Sequence, residues 1–256
     1  MQQNPCSRTV LITGGAKRLG RAIVEGMANC GFNVAIHANR SFEEAESLAN
    51  ALRDGGIEAR AFEADLLDSE QTGRLIGAVN AAMGPIDILV NNASLFNADE
   101  ADRFNADQFD SHFAIHVKAP LILAEHFARQ VDGARSGLIV NMIDQRVWAL
   151  TPRFFSYTLS KSTLWTATQT MAQAFAPNIR VNAIGPGPTL KNTRQSDEDF
   201  ESQIGTLILR RGPALSEFAA TIRYLYETPS ITGQMIALDG GQHLAWETPD
   251  VTGINE

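Results

Sequence analysis

Seven short apolar runs separated by helical stretches constrain this chain more than any other feature. They are TVLIT (9–13), NVAIHA (33–38), EARAFEA (58–64), DILVNNA (87–93), GLIVNMI (137–143), IRVNAIG (179–185) and QMIALDGG (234–241). Each run has strand length. The segments between them carry helical spacing: in 43–54, Ala45, Leu48, Ala49 and Leu52 recur at i, i+3, i+4 and i+7. Ser41 stands where it can cap that helix, and Gly55 with Gly56 can end it. Strands alternating with helices predict a parallel sheet of about seven strands with helices on both faces, a doubly wound α/β fold. The chain has 256 residues, 44% of them hydrophobic, which is enough apolar material for one large core. No low-complexity linker and no repeat at solenoid period divides it, so 1–256 is expected to be a single domain.

The charge balance narrows the partners. Formal net charge is −8 and the basic residues form no stripe, so a nucleic acid or an anionic membrane surface would meet net repulsion, and a small molecule is the expected partner. No run of about eighteen apolar residues exists, and the start, MQQNPCSR, lacks a secretory pattern; a cytoplasmic protein is expected. Cys6 and Cys30 make no C-x-x-C pair and read as a tail thiol and a packing thiol. The five histidines show no metal spacing, and His112, His116 and His126 are expected on one long helix in surface or core roles. The region 185–214 is the irregular one. It opens with the breakers of GPGPT, passes through SDEDFE, which suits a short surface helix, and is expected to be a substrate lid at the carboxyl edge of the sheet, or else an excursion of no consequence.

After the first run comes TGGAKRLGR, with Gly14, Arg18 and Gly20 in a G-x-x-x-R-x-G turn that leads into a helix. Glycines there let the backbone turn sharply and approach a pyrophosphate, whose charge then sits at a helix amino end. The second run ends in HANRS, with no acid before Glu43. An acidic residue there would bond free ribose hydroxyls, whereas Arg40 can grip a 2′-phosphate while Asn39 and Ser41 donate to it, so NADP(H) is the expected cofactor. Arg40 also reads as a solvated residue before a helix, with Lys17 and Arg18 sharing the phosphate. Asp65 can accept from an adenine amino group, cap the next helix, or do both, and NNAS (91–94) follows the fourth strand, where ligand loops gather.

FFSYTLSK places Tyr157 one helical turn before Lys161 at the start of the helix after the fifth strand, on the same sheet edge as the glycine turn. An ammonium beside a phenol favours the phenolate, which predicts a lowered pKa for Tyr157 and proton transfer near neutral pH. Asp144 lies thirteen residues upstream of that tyrosine. A carboxyl group in that place can carry a titrating proton if partly desolvated; it can also simply cap the loop that follows.

Taken in order, the Gly14 to Gly20 turn, Asp65, Asn91-Asn92-Ala93, Tyr157 with Lys161, RVNAIGPG (180–187) and LDGG (238–241) resemble the short-chain dehydrogenase/reductase family over essentially the whole chain. The resemblance implies a Rossmann fold, Tyr157 as general acid, and Lys161 holding the nicotinamide ribose and tuning the tyrosine. It also implies cofactor contacts from Leu19, Leu66, Asn92, Ala93, Ser94, Pro186 and Gly187. Two positions depart from the family pattern: Asp144 stands where most members have serine, and His116 where they have asparagine.

Those departures, with Arg18, NRS and NNASLF, resemble the pterin-reducing branch: pteridine reductases and the bacterial dihydromonapterin and dihydrofolate reductases of this fold. Phe96 then matches the aromatic residue that stacks a pterin against the nicotinamide, Ser94 the serine touching cofactor and substrate, and Arg18 the arginine near pyrophosphate and pterin. His116 is also open to holding a buried water or a carbonyl, and Phe96 to packing inward. The implied activity is NADPH-dependent reduction of a C=N bond, with a carbonyl reductase and a non-catalytic NADPH sensor as alternatives. By the same resemblance, helices at about 104–131 and 155–176 would pair into a homotetramer.

Overall fold

The computed structural model describes residues 8–131, 135–192 and 195–247, so Cys6 lies outside the described residues. Among these residues seven parallel strands form one sheet: β1 (Thr9–Ile12), β2 (Asn33–Ala38), β3 (Ala59–Glu63), β4 (Ile88–Asn91), β5 (Gly137–Met142), β6 (Ile179–Pro186) and β7 (Met235–Leu238). Their spatial order is β3-β2-β1-β4-β5-β6-β7. All seven expected strands are present, with β6 running one residue further than expected because Pro186 still pairs with Leu238 of β7, past the last β5 pairing at Ile184, where its missing N–H costs no ladder bond. The strand order reverses between β1 and β4, which opens a crevice beyond their carboxyl ends.

Among the described residues there are eight α-helices, of which α7 buries no residue: α1 (Arg18–Asn29), α2 (Phe42–Asp54), α3 (Ser69–Met83), α4 (Ala106–Phe113), α5 (Ala119–Gln130), α6 (Phe155–Ala174), α7 (Asp197–Gly205) and α8 (Leu215–Glu227). Alternate residues of each strand face opposite layers. Val10, Ile12, Val34 and Ile36 pack with Ile23, Met27 and Phe218 on the α1/α8 side, while Leu11, Leu89 and Ile139 pack with Leu75, Leu123 and Phe127 on the α3/α5 side. Both faces are therefore buried, which is why the strands read as continuous apolar runs. Phe127 and Phe218 are completely buried, a burial that stabilises by about 1.5–3 kcal/mol each.

Between α4 and α5 the helix passes through a π segment, Ala114–Lys118, so His112, His116 and His126 do share one helical run, but not a regular one. Ser41 precedes α2 without bonding it: its ψ of 34° is not the extended value that aims an N-cap oxygen at the first turn. Gly55 ends that helix as expected. In 185–214, the SDEDFE stretch forms α7, closed by a capping box between Ser196 and Asp199. Arg180 ties the far side together, its guanidinium donating to the Leu225, Tyr226, Thr228 and Ile231 carbonyls at the end of α8. Among the described residues, no helix is long and apolar enough to cross a membrane, and no three His, Cys, Asp or Glu side chains converge as a metal site.

Candidate active site

A cleft of about 760 Å³ opens along the carboxyl edge of the sheet over the β1/β4 reversal. It is lined by Gly14, Lys17, Arg18, Leu19, Gly20, Asn39, Arg40, Ser41, Asp65, Leu66, Asn92, Ala93, Ser94, Phe96, Asp144, Tyr157, Lys161, Pro186 and Gly187, all marked from the sequence, while Asn91 and His116 lie outside its lining. A second hollow of about 860 Å³ continues it past Phe96 and Tyr157 toward Arg146, Arg153, Phe154 and α7.

The floor at β1 is built by backbone and small polar groups. Gly14 has φ +63°, and a Cβ there would lie 3.0 Å from the Ala93 Cα. Gly20 sits against the Gly14 carbonyl and the Asn92 amide, so no side chain fits there either. Thr13 Oγ1 accepts from Asn92 N (2.9 Å) and Ala93 N (3.0 Å), and Asn92 Nδ2 donates to the Thr13 and Gly14 carbonyls, stitching the turn to β4. His37 adds a bond that composition and spacing did not suggest. Its Nδ1 accepts from Gly14 N at 3.1 Å and its Nε2 faces the Ala64 carbonyl at 3.0 Å, which assigns the neutral Nε2–H tautomer. Burial pushes its pKa down to about 4. The only sequence signal for it was a histidine inside an apolar strand.

Asn39 and Arg40 are exposed at the rim beyond β2. Lys17 is paired with Glu44 at 2.5 Å on the surface, so its share in phosphate work competes with an existing partner. Arg18, at φ +51°, donates to the Lys191 carbonyl at 2.9 Å and thereby joins the glycine turn to the 185–214 segment. Asp65 does not cap α3. That place belongs to Asp68, which accepts from Glu70 N and Gln71 N, while Asp65 accepts from Leu67 N in a local turn.

At the other end, the Tyr157 hydroxyl donates to Asp144 Oδ2 at 2.9 Å, and Asp144 Oδ1 accepts from Arg146 N at 2.9 Å. Asp144 thus both caps the short turn Gln145–Val147 and holds the phenol. The expectation of a lowered tyrosine pKa is reversed. Burial pushes the Tyr157 phenol well above its ordinary value, and the Asp144 carboxylate reinforces this by favouring the protonated phenol. Lys161 does not offset them: its Nζ is 5.8 Å from the ring centroid and donates to the Met142 carbonyl at 2.7 Å. Burial lowers the lysine to about 8, against a smaller upward pull from Asp144.

Phe96 stands edge-on to the Tyr157 ring at 4.7 Å and stacks on Phe154 at 4.2 Å, with the Arg146 guanidinium 5.2 Å from its centroid. Phe154 has φ +57°, a strained value for an aromatic residue. Neither Phe154 nor Arg146 had been marked from sequence, because their relation to Phe96 crosses about fifty residues. His116 bonds side chains and a backbone N–H rather than a carbonyl: its Nε2 faces Ser94 Oγ at 2.8 Å and accepts from Leu95 N at 3.2 Å.

A sequence model of the family described as short chain dehydrogenase matches residues 8–202. The chain belongs to the short chain dehydrogenase family. This short chain dehydrogenase is 56% identical to FolM alternative dihydrofolate reductase 1 from Brucella canis, whose crystal structure in complex with NADP superposes with a TM-score of 0.93 over 96% of this chain and 97% of that one. The blue fluorescent protein from a metagenomic library, in complex with NADPH, is 27% identical, with a TM-score of 0.84 over 91% of this chain and 97% of that one. Among curated relatives, the 3-oxoacyl-[acyl-carrier-protein] reductase FabG of Staphylococcus aureus is 27% identical over 93% of this chain and 99% of its own length.

Proposed function

We propose that this oxidoreductase uses NADPH to reduce a C=N bond in a pterin ring, with a dihydropterin such as dihydromonapterin, or dihydrofolate, as substrate. The observation that carries the reading is the Tyr157–Asp144 hydrogen bond on a tyrosine whose ring packs nearly at a right angle against Phe96. A flat polar bicycle needs an aromatic face, a hydride donor on its other face and a proton source at its edge. Phe96 offers the first and the tyrosine–aspartate pair the third.

The cradle fits a dinucleotide. The side-chain-free surface of Gly14 and Gly20 and the amino end of α1 suit a pyrophosphate, Asp65 and Leu66 flank the adenine side, and Arg40, Asn39 and Ser41 suit a 2′-phosphate. Bound NADPH supplies the hydride. Lys161 presents its ammonium to the ribose, and Asn92, Ala93, Ser94, Pro186 and Gly187 close around the nicotinamide end. Tyr157 keeps its proton at neutral pH and directs it at Asp144. As carbon takes the hydride, the Tyr157 proton crosses the Asp144 carboxylate to a ring nitrogen in the same step, and the tyrosinate left behind regains a proton from water. A serine in that place could polarise a ketone but could not carry the proton.

NADPH oxidation by the pure protein, with 7,8-dihydromonapterin, 7,8-dihydrobiopterin and 7,8-dihydrofolate side by side, tests the reading. Turnover of at least one is expected. Robust turnover of simple ketones and aldehydes with none on the dihydropterins would replace it with the carbonyl reductase that the FabG likeness favours. The same reading carries a cytoplasmic homotetramer paired through α4–α5 and α6, on which Leu121 and Leu159 are exposed. Light scattering checks its mass.

A further inference from the structure

After β4 the chain runs through 92–99 in neither helix nor strand, and its backbone N–H groups need acceptors. Two of those acceptors come from a single helical face. His116 Nε2 takes the Leu95 N–H at 3.2 Å and His112 Nε2 takes the Asn97 N–H at 3.3 Å, so the bonded residues flank Phe96 on either side. Two residues of extended chain advance about 6.6 Å, and one helical turn about 5.4 Å, close enough for one to follow the other. The two imidazoles are 5.6 Å apart and 13° from parallel. They act as the partner strand that the segment lacks.

Each ring is fixed from behind. His112 Nδ1 lies 2.7 Å from Ser156 Oγ and His116 Nδ1 2.8 Å from Ser160 Oγ, two serines also one turn apart, on α6. Ser160 Oγ already donates to the Tyr157 carbonyl at 2.7 Å, so it accepts from His116, and the Nδ1–H tautomer leaves Nε2 as the acceptor that Leu95 requires. All four side chains are buried. Asp99 closes the segment by accepting from Ser156 N at 3.1 Å. The Tyr157 ring stands edge-on to His116 (5.3 Å), to His112 (6.0 Å) and to Phe96 (4.7 Å). One set of contacts therefore sets the tyrosine and the aromatic face opposite it.

We propose that His112 and His116 are positioning residues, a two-rung ladder of neutral imidazoles that holds Ser94 and Phe96 in register with Tyr157 and so sets how tightly the substrate ring is held. The substrate arm of this proposal rests on the pterin reading, whereas the ladder itself does not. Glutamine at either position reaches the Nε2 site, and asparagine reaches only the Nδ1 site, which allows the loop contact to be removed while the serine contact is kept.

The test uses the full chain saturated with NADPH. His116→Asn is expected to raise the KM for the dihydropterin about tenfold with kcat changed less than threefold, as the Ser94 and Leu95 contacts go together, and to speed amide exchange at Leu95 about tenfold, the loss of its own bond to the imidazole. His116→Gln is expected to stay within about twofold of wild type in both. His112→Asn gives a second, independent reading at the Asn97 amide should the first variant fold poorly. Unchanged exchange at both amides, or asparagine and glutamine variants that behave alike, overturns the ladder. A wild-type protein that turns over no dihydropterin overturns the pterin reading alone, because the exchange measurement needs no substrate.

Discussion

The two ends of the cleft are built by different means. Around Gly14 and Gly20, backbone atoms meet backbone atoms, Thr13 and Asn92 lock β1 to β4, and the titratable group involved, His37, is neutral. Around Tyr157, side chains set one another: Asp144 holds the phenol, Phe96 leans on Phe154 and Tyr157, and Phe154 sits at a strained φ. The first kind of construction gives a cradle whose shape survives most substitutions elsewhere. The second gives a site whose chemistry depends on each neighbour, so the two ends should fail differently when altered.

The sharpest break comes from Tyr157→Phe. It removes the proton while leaving the cradle, so kcat/KM on the dihydropterin should fall by about 10³-fold or more with NADPH affinity within about twofold. A comparable loss of NADPH affinity would show that the two ends are not separable. Asp144→Ser should cost about 10²-fold on a dihydropterin and much less on a simple ketone, measured as the ratio of the two kcat/KM values. A parallel loss on both substrates would deny Asp144 its role at a ring nitrogen. At the cradle end, Arg40→Ala should weaken NADPH by about tenfold or more and NADH hardly at all, read by titration of each cofactor. Equal losses would place the phosphate elsewhere.

The smallest effect on turnover is expected at His37, which should show instead in stability. Its folded pKa, about 4, lies below the unfolded value of 6.5. Between these values the unfolded chain binds the extra proton, so stability is full above about pH 6.5, falls as pH drops toward 4, and levels off below. The fall attributable to His37 is about 3 kcal/mol. Denaturant unfolding of wild type and His37→Asn across that window should show the variant with the shallower slope, and parallel curves would mean that His37 is not held neutral.

The same contrast governs what could be read from sequence. The strands were legible because burial on both faces writes itself as unbroken apolar runs, and the cradle because glycines mark close approach. The direction of the Tyr157 shift was not legible. Lys161 is its neighbour in sequence, but what decides the shift is burial by other elements and a carboxylate thirteen residues away, and only the fold sets those distances. Phe154, Arg146 and the histidine pair were hidden for the same reason: their partners lie on other elements. Ser41 had the right residue type for a cap and the wrong backbone angle.

The π segment at Ala114–Lys118 has a consequence for how this chain can change in length. A π turn carries one residue more than the helix around it needs, so deleting one residue there would restore a regular helix with its two ends still in phase, whereas deleting one from a regular turn beside it would rotate everything beyond by about 100°. A single-residue deletion in a regular turn of this run would therefore put His112 or α5 out of place, whereas one within 114–118 that spares His116 would keep both in phase. Alignments of related chains should therefore place one-residue gaps in this stretch rather than in the regular turns beside it.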